Sequence, residues 1–159
     1  MNIERVDYAN EKHASALLDM LNHYAEDPMG GGESLSAATK AKLISEMAKR
    51  DTVFSFLAWN DDGEAIGIVN CVEGFSTFAA KPLCNVHDIA VREGYRGQGI
   101  AQKLFDAVKA EAASRGCCKL TLEVLSGNEP ARLSYKKYGF KPYELDPEMG
   151  QAEFWELKI

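Results

Sequence analysis

The stretch His87–Phe105, "HDIAVREGYRGQGIAQKLF", joins a run typical of a strand to a run typical of a helix through a turn that contains Gly97 and Gly99. Glycine loses more conformational entropy on folding than other residues, so two glycines in one turn need a compensating gain. At a strand-to-helix junction the first N–H groups of the helix lack partners, and the helix dipole adds to their attraction for anions. The turn therefore predicts a phosphate or pyrophosphate site, with Arg92 and Arg96 supplying charge at its edge.

A purely structural turn, capped by glycine and with its arginines in solvent, is the alternative interpretation. Two common nucleotide-binding loops do not fit the spacing. A P-loop requires a lysine and then Ser or Thr after its last glycine, whereas Ile100 and Ala101 follow Gly99. A dinucleotide-binding fingerprint requires a third glycine where this chain has Gln102. The pattern that remains is Arg96-x-x-Gly99-x-Ala101.

Length and composition predict one domain over residues 1–159. The chain is 46% hydrophobic and 26% charged, with a formal net charge of −6. A negative charge is unfavourable for binding nucleic acid, and it suits either a cationic small substrate or solubility alone. No apolar run approaches the roughly 20 residues of a membrane span, so we expect no membrane partner. The start "MNIERVDYAN" lacks a secretory signal pattern, so we expect a cytoplasmic protein.

The four cysteines indicate neither disulfides nor a metal site. A cytoplasmic location favours thiols, and no CxxC spacing is present, so we expect no bound metal. We interpret Cys71 and Cys84 as small apolar core residues, and Cys117 and Cys118 as unpaired because neighbours on a strand point to opposite faces.

Local patterns predict an α+β domain with a mixed sheet. Asn10 is a candidate N-cap for a first helix, and a second helix is expected over about 36–49. A helix after Gly99 should end at Gly116. The predicted strands are "NIERVD", "TVFSFLAW", "EAIGIVNCVEGF", "LCNVHDIAV" and "CKLTLEVL", followed after a short helix "EPARLSYKKY" by a closing hairpin of "FKPYEL" and "AEFWELKI".

The pattern around Arg96 resembles the pyrophosphate-binding motif of the GCN5-related N-acetyltransferases (GNAT), in which Arg or Gln precedes x-x-G-x-G/A at a strand-to-helix turn. A second stretch, "SGNEPARLSYKKYGF", is similar to the later signature of that family. Its matching positions are Asn128, Ala131, Tyr135, Gly139 and Phe140. The resemblance spans nearly the whole chain. It implies a mixed, mostly antiparallel sheet of six or seven strands flanked by about four helices.

The resemblance also implies acetyl-CoA as the acetyl donor and direct transfer to an amine in a ternary complex. Backbone groups of Ile89, Ala90 and Val91 would align the pantetheine arm, and one N–H there would polarise the thioester carbonyl. Asn128 would contact the same arm. The pyrophosphate would be held by the Arg96 side chain and by the backbone of Gly97, Gln98, Gly99, Ile100 and Ala101.

Tyr135 matches the general acid of the family, which reprotonates the departing thiolate. Tyr138 lacks the motif position and serves as its comparison; the alternative for Tyr135 is an ordinary core or surface tyrosine. Family members often carry a Glu that acts as a base through water on the strand before the turn. Here His87 stands at that position with Asp88 beside it, and strand alternation would let only one of them face the cleft. Either His87 or a water that it holds takes the proton, or His87 is simply a buried residue bonded to backbone.

Three short sequence matches suggest the chemical class of the acceptor. "FSTF", the His-Asp pair and "NEP" most resemble the diamine and polyamine acetyltransferase branch, which favours a polyamine-like or amino-acid-like amine. Candidate carboxylates for such a cation are Asp27, Glu33, Glu73 and Asp88, and the loop "DPMGGG" could close over it. The alternatives are acetylation of a protein or peptide amine, and a non-catalytic acyl-CoA sensor or toxin-neutralising partner. We expect a homodimer, as is common in the family.

Overall fold

The computed structural model describes all 159 residues, which form five strands, four α-helices and two short 3₁₀ turns. In chain order the elements are β1 (Asn2–Arg5), α1 (Glu11–Glu26), α2 (Ala37–Ala48), β2 (Val53–Trp59), β3 (Ala65–Ser76), β4 (Lys81–Val91), the 3₁₀ turn Glu93–Tyr95, α3 (Ile100–Ser114), β5 (Leu120–Leu122), α4 (Glu129–Tyr138) and the 3₁₀ turn Pro147–Met149. The chain forms two compact units, Met1–Leu122 and Glu123–Ile159.

The first unit contains one mixed sheet with the strand order β1-β2-β3-β4-β5. Neighbouring strands are antiparallel from β1 to β4, and β5 runs parallel to β4. The predicted mixed, mostly antiparallel sheet and the four helices are confirmed.

The predicted number of six or seven strands is wrong, because the closing hairpin does not form. After α4 only the turn Pro147–Met149 is regular. The large apolar side chains in this segment are exposed: Tyr143, Leu145, Met149, Phe154, Trp155, Leu157 and Ile159. Alternating apolar residues stabilise a strand only against a paired edge and a covered face, and the segment has no strand partner.

Side-chain caps set where the first helices begin. The Asn10 side chain accepts hydrogen bonds from the backbone N–H groups of Lys12 and His13, and the Ser36 side chain accepts one from Thr39. A cap of this kind stabilises a helix start by about 1 kcal/mol. Both helices therefore begin where the sequence predicts.

Helices cover both faces of the sheet. Leu17 and Met20 on α1 and Met47 on α2 share a buried cluster with Leu57 and Ile68 of the sheet. Each fully buried aliphatic side chain contributes about 1.5–3 kcal/mol of hydrophobic free energy.

The other face packs on α3. A Cβ placed at Gly67 would lie 3.1 Å from Ile100 Cγ2 and 3.3 Å from Leu104 Cδ1, so the helix sits directly on the backbone of β3. Cys71 and Cys84 are completely buried, as predicted. A hydrogen bond with Cys84, together with burial, raises the pKa of the Cys71 thiol, which makes it a poor nucleophile.

No helix of the chain combines the length and the apolar composition that crossing a bilayer requires.

Candidate active site

The glycine turn before α3 has the backbone that the sequence predicts. Gly97 and Gly99 adopt φ of +77° and +78°, in the left-handed region that favours glycine. A Cβ at either position would meet no atom within 4 Å, so the space over the turn is open. Gly99 is the N-cap of α3 and supplies no side-chain cap, so the helix presents its first N–H groups, at Ile100 and Ala101, without an intrahelical acceptor.

The two arginines near the turn have different partners. Arg96 donates from Nε to the carbonyl of Val91 at 3.1 Å, and its Nη2 lies 3.2 Å from Oδ2 of Asp27. Arg92 donates from Nε to the carbonyl of Ala65 and pairs with Asp19 on α1. Arg92 therefore braces the sheet against α1, and Arg96 is the arginine that belongs to the turn.

One edge of β4 is open next to this turn. Its other edge pairs with β3 as far as Val91, whereas β5 pairs only with Cys84–Val86. The N–H of Arg92 donates to Ile66 on β3. Because backbone groups alternate in direction along a strand, those of Ile89 and Val91 face the open edge, as the bond from Arg96 to the Val91 carbonyl also indicates.

A β-bulge places His87 and Asp88 beside this edge. Asn70 on β3 pairs with Asp88 and its neighbour Cys71 pairs with Val86, so His87 has no residue opposite it. His87 is exposed, which corrects the alternative of a buried histidine. Asp88 is half-buried and accepts a hydrogen bond from Nδ2 of Asn70 at 3.0 Å. Strict alternation of side chains along a strand predicted that only one of His87 and Asp88 faces the cleft. The bulge interrupts that alternation at these two residues.

A row of four hydrogen-bonded polar side chains, the polar row, ends at Asp88. The hydroxyl of Tyr8 lies 3.0 Å from Oγ of Ser55, and Ser55 donates to Oδ1 of Asn70 at 2.6 Å. Asn70 then donates to Asp88. Sequence reasoning missed this row, because only strand register makes Ser55 the neighbour of Asn70, and Asn70 the neighbour of Asp88. The available signal was Ser55 inside the apolar β2 and Asn70 inside the apolar first part of β3, residues 65–72.

The loop after α1 is built on Asp27, the C-cap of that helix. The Asp27 carbonyl accepts from the N–H groups of Gly30 and Gly32, and its carboxylate accepts from Met29 N–H. That backbone hydrogen bond, with the bond from Arg96, lowers the pKa of the Asp27 carboxyl. A Cβ at Gly30 would lie 1.9 Å from the carbonyl oxygen of Tyr24, so the loop touches the α1 backbone. The loop that could close over the acceptor is thus held by hydrogen bonds to α1 and within itself.

The other candidate carboxylates differ in setting. Glu73 pairs with Arg115 at 2.9 Å, at the end of α3, so it has a structural partner. Glu33 is exposed on the loop after α1. Burial, followed by the charges of Asp88 and Asp27, raises the pKa of Tyr24, which keeps that phenol neutral near them.

The second unit carries Asn128 and Tyr135 on α4. Asn128 is the N-cap, and its Oδ1 accepts from Ala131 N–H at 3.3 Å. The helix ends at Gly139, with φ of +115°, and Phe140 N–H donates to the Tyr135 carbonyl. This is a Schellman motif, in which the hydrophobic contact is made by the Tyr135 and Phe140 rings, 6.1 Å apart and edge to face.

The predicted residues thus fall into two groups. Those that the first unit brings together along β4 and the following turn are His87, Asp88, Ile89, Ala90, Val91, Arg96, Gly97, Gln98, Gly99, Ile100 and Ala101. The remaining two, Asn128 and Tyr135, lie on α4 of the second unit.

Known proteins resemble this chain in sequence and in fold. The model of the acetyltransferase (GNAT) family matches residues 14–140. The N-acetyltransferase YycN of Bacillus subtilis is 38% identical over 156 residues, which cover 91% of this chain and 96% of that protein. Thialysine N-epsilon-acetyltransferase of Bos taurus is 37% identical over 81 residues, which cover 51% of this chain and only 44% of that protein. A structure of AAC(6')-Iy with a bisubstrate analogue has a TM-score of 0.79 at 18% identity, covering 99% of this chain and 98% of that one, and shows a shared fold.

Proposed function

Because this chain belongs to the acetyltransferase (GNAT) family and is an acyltransferase that uses acetyl-CoA, we propose that it transfers the acetyl group directly to a primary amine of a cationic small molecule. The observation that carries the proposal is the open edge of β4 from His87 to Val91, which leads straight into the Gly97–Gly99 turn. We propose residues 1–159 as a single N-acetyltransferase domain.

The turn fits the pyrophosphate of a CoA thioester. Two left-handed glycines without Cβ atoms let an anion approach the backbone, and the uncapped start of α3 offers N–H donors and the positive helix end. In the proposal, these donors run from Gly97 to Ala101, including Gln98 and Ile100, and Arg96 exchanges its present partners for the phosphates. Acetyl-CoA supplies the activated acetyl group.

The open edge fits the pantetheine arm. In the proposal the backbone groups of Ile89 and Val91 pair with the amides of the arm as an added strand would, while Ala90 stays bonded to β3. One of these N–H groups would donate to the thioester oxygen, where an oriented donor typically lowers the barrier by about 3–4 kcal/mol. Asn128 would donate its side-chain N–H to the same arm, since its Oδ1 caps α4.

Proton transfer is assigned to two residues. An alkyl ammonium nitrogen loses two protons on its way to an amide. We propose that His87, which is exposed on the bulge, takes one proton directly or through water and returns it to solvent. The Tyr135 hydroxyl donates a proton to the CoA sulfur, and the second proton of the amine nitrogen restores that hydroxyl.

The acceptor is proposed from charge and relatives together. Asp27 and Asp88 lie near Tyr24 in the first unit, where they favour a cation. The thialysine N-epsilon-acetyltransferase of Bos taurus and the aminoglycoside N-acetyltransferase AAC(6')-Iy are both named for substrates that bear amines. A polyamine-like or amino-acid-like amine is therefore the proposed substrate.

The test is to incubate the protein with acetyl-CoA and a panel of spermidine, lysine, neamine and peptides, and to identify acetylated products by mass. We expect one class of small amine to be acetylated. Products from peptides alone would replace the substrate class with a protein acceptor. Tight binding of acetyl-CoA with no product from any amine would contradict the proposed activity and support an acyl-CoA sensor.

We also propose a cytoplasmic homodimer. The exposed apolar side chains between Tyr143 and Ile159 support a self-associating surface, because isolated chains seldom leave so many exposed. Light scattering coupled to gel filtration tests this: a monomer at micromolar concentration would contradict it.

A further inference from the structure

The polar row crosses a sheet that is otherwise apolar at this depth. Ser55 is completely buried and Asn70 is 5% exposed, and they are the two buried polar residues of the chain. Buried polar groups cost free energy unless they are hydrogen-bonded, and a pair of apolar residues would pack on α1 and α2 without that requirement. The presence of two buried polar residues in the polar row is therefore not explained by stability alone.

Every hydrogen bond of the row has a defined direction. A carboxylate can only accept, so Asn70 must present its NH2 to Asp88 and its oxygen to Ser55. Ser55 donates its single hydroxyl proton to Asn70, so in the bond between Ser55 and Tyr8 the Tyr8 hydroxyl must be the donor. All donors point toward Asp88. An amide does not pass protons readily, so the row orients Asp88 and does not conduct protons to it.

The titratable groups around Asp88 are Tyr24 on α1, Cys71 on β3 and His87 beside it on the bulge. Burial and the charge of Asp88 raise the pKa of Tyr24, and a hydrogen bond with Cys84, burial and Asp88 raise that of Cys71. Both therefore stay neutral between pH 6 and 9. Asp27 adds a second negative charge near Tyr24. Of these groups, His87 is left as the candidate proton acceptor.

Resting on the proposed function, we propose that Asn70 and Ser55 are positioning residues that hold the Asp88 carboxylate as a fixed anion. Asp88 binds the ammonium group of the acceptor, and the neighbouring His87 accepts the proton. The bulge makes these two separate roles possible, because it lets two consecutive residues lie at the same edge of β4.

The test is a double-mutant cycle with Asn70→Leu and Asp88→Asn, assayed with whichever of spermidine, lysine and neamine the wild-type protein acetylates fastest. Asn70→Leu should raise KM for the amine about 10-fold, the effect typical of losing a hydrogen bond to a charged group. Its kcat should change less, and its affinity for CoA should not change. In the Asp88→Asn background, Asn70→Leu should have no further effect on KM, because its action runs through Asp88.

Two controls guard against a purely structural effect. Asn85 lies on β4, as Asp88 does, and its Nδ2 donates a hydrogen bond to Oγ1 of Thr121 on β5. Asn85→Leu removes that bond and should leave KM unchanged. Ser55→Ala is a milder change in the same polar row and should also raise KM. It takes the place of Asn70→Leu if that variant does not fold. The pH at which kcat declines on the acid side should be the same in Asn70→Leu and wild type, since Asn70 contacts Asp88 and not His87.

Additive effects in the cycle, or an unchanged KM in both Asn70→Leu and Ser55→Ala, would overturn the inference while leaving the acetyltransferase activity intact. A wild-type protein that acetylates no amine would instead contradict the proposed function, and the inference with it.

Discussion

The guanidinium of Arg96 and the carboxylate of Asp27, 3.2 Å apart, join the turn before α3 to the C-terminus of α1. The same carboxylate is oriented by Met29 N–H, and the Asp27 backbone carbonyl organises the loop that follows. A side chain proposed to bind phosphate is therefore paired with a side chain near the proposed amine site. Phosphate groups that attract Arg96 must compete with Asp27, and their binding would leave Asp27 available to a cation.

Asp27→Asn should tighten CoA binding, because it removes the competing charge but keeps an acceptor for Met29 N–H. The expected gain in affinity is about 1.5- to 5-fold, the range that corresponds to a solvent-exposed ion pair. Isothermal titration with CoA measures it. Glu33→Gln, which removes an exposed charge from the same loop, is the matched control and should not alter the affinity. Equal or weaker binding by Asp27→Asn would show that the pair does not restrain Arg96.

The Asp27 carboxyl should also contribute to stability in a pH-dependent way. Its folded-state pKa lies below the ordinary value, so its contribution is present above the unfolded pKa of about 3.9 and is lost as pH falls through the folded pKa. Urea unfolding of wild type and Asp27→Asn should show a constant difference from pH 8 to pH 5 that declines progressively as the pH falls below about 4. A difference that grows as the solution is acidified would contradict this assignment.

Gly99→Ala should weaken both the fold and CoA binding. A residue with a Cβ at φ of +78° costs about 1–2 kcal/mol in unfolding free energy, and relief of that strain would move the N–H groups at the start of α3. Gly94→Ala is the control, because its backbone is outside the left-handed region and its Cβ would meet open space. Denaturant unfolding measures the stability of the two variants, and titration with CoA measures their affinity. Equal stability and equal CoA affinity in the two variants would contradict a special role for Gly99.

Tyr135→Phe should lower kcat by a factor of about 100 or more, as expected when a general acid is removed. Phenylalanine keeps the edge-to-face contact with Phe140, so the melting temperature should stay near that of wild type. Tyr138→Phe is matched in chemistry and also contacts Phe140, yet it lacks the motif position and should keep its activity. If both variants retain full activity, the proton must come from another donor.

Gly30→Ala should destabilise the protein by about 1–3 kcal/mol, as is usual when a methyl group is forced into filled space. The added Cβ would overlap the Tyr24 carbonyl, so the loop must move away from α1 and shift Asp27 with it. Gly127→Ala, where a Cβ would meet no atom, serves as the control. Thermal unfolding of the two variants measures the difference, and an unaffected Gly30→Ala would mean that the loop relaxes freely.

Local signals in the sequence were sufficient for the helix starts and the glycine turn. The caps Asn10 and Ser36 and the left-handed Gly99 are properties of a few adjacent residues. The bulge at His87 and the polar row depend instead on which residues of β2, β3 and β4 are opposite one another, and register is not encoded in one strand alone. The closing hairpin was predicted wrongly for a related reason, since alternation does not supply the partner strand.

Strand order in the sheet repeats strand order along the chain. From β3 onward, each strand pairs with the one synthesised just before it, which keeps the loop-closure cost of each pairing low and favours rapid folding. The sheet and the glycine turn can consequently assemble while later residues are still inside the ribosome. The phosphate-binding half of the proposed site can then form before α4 has left the ribosome, and CoA bound there would stabilise the folded part of the nascent chain.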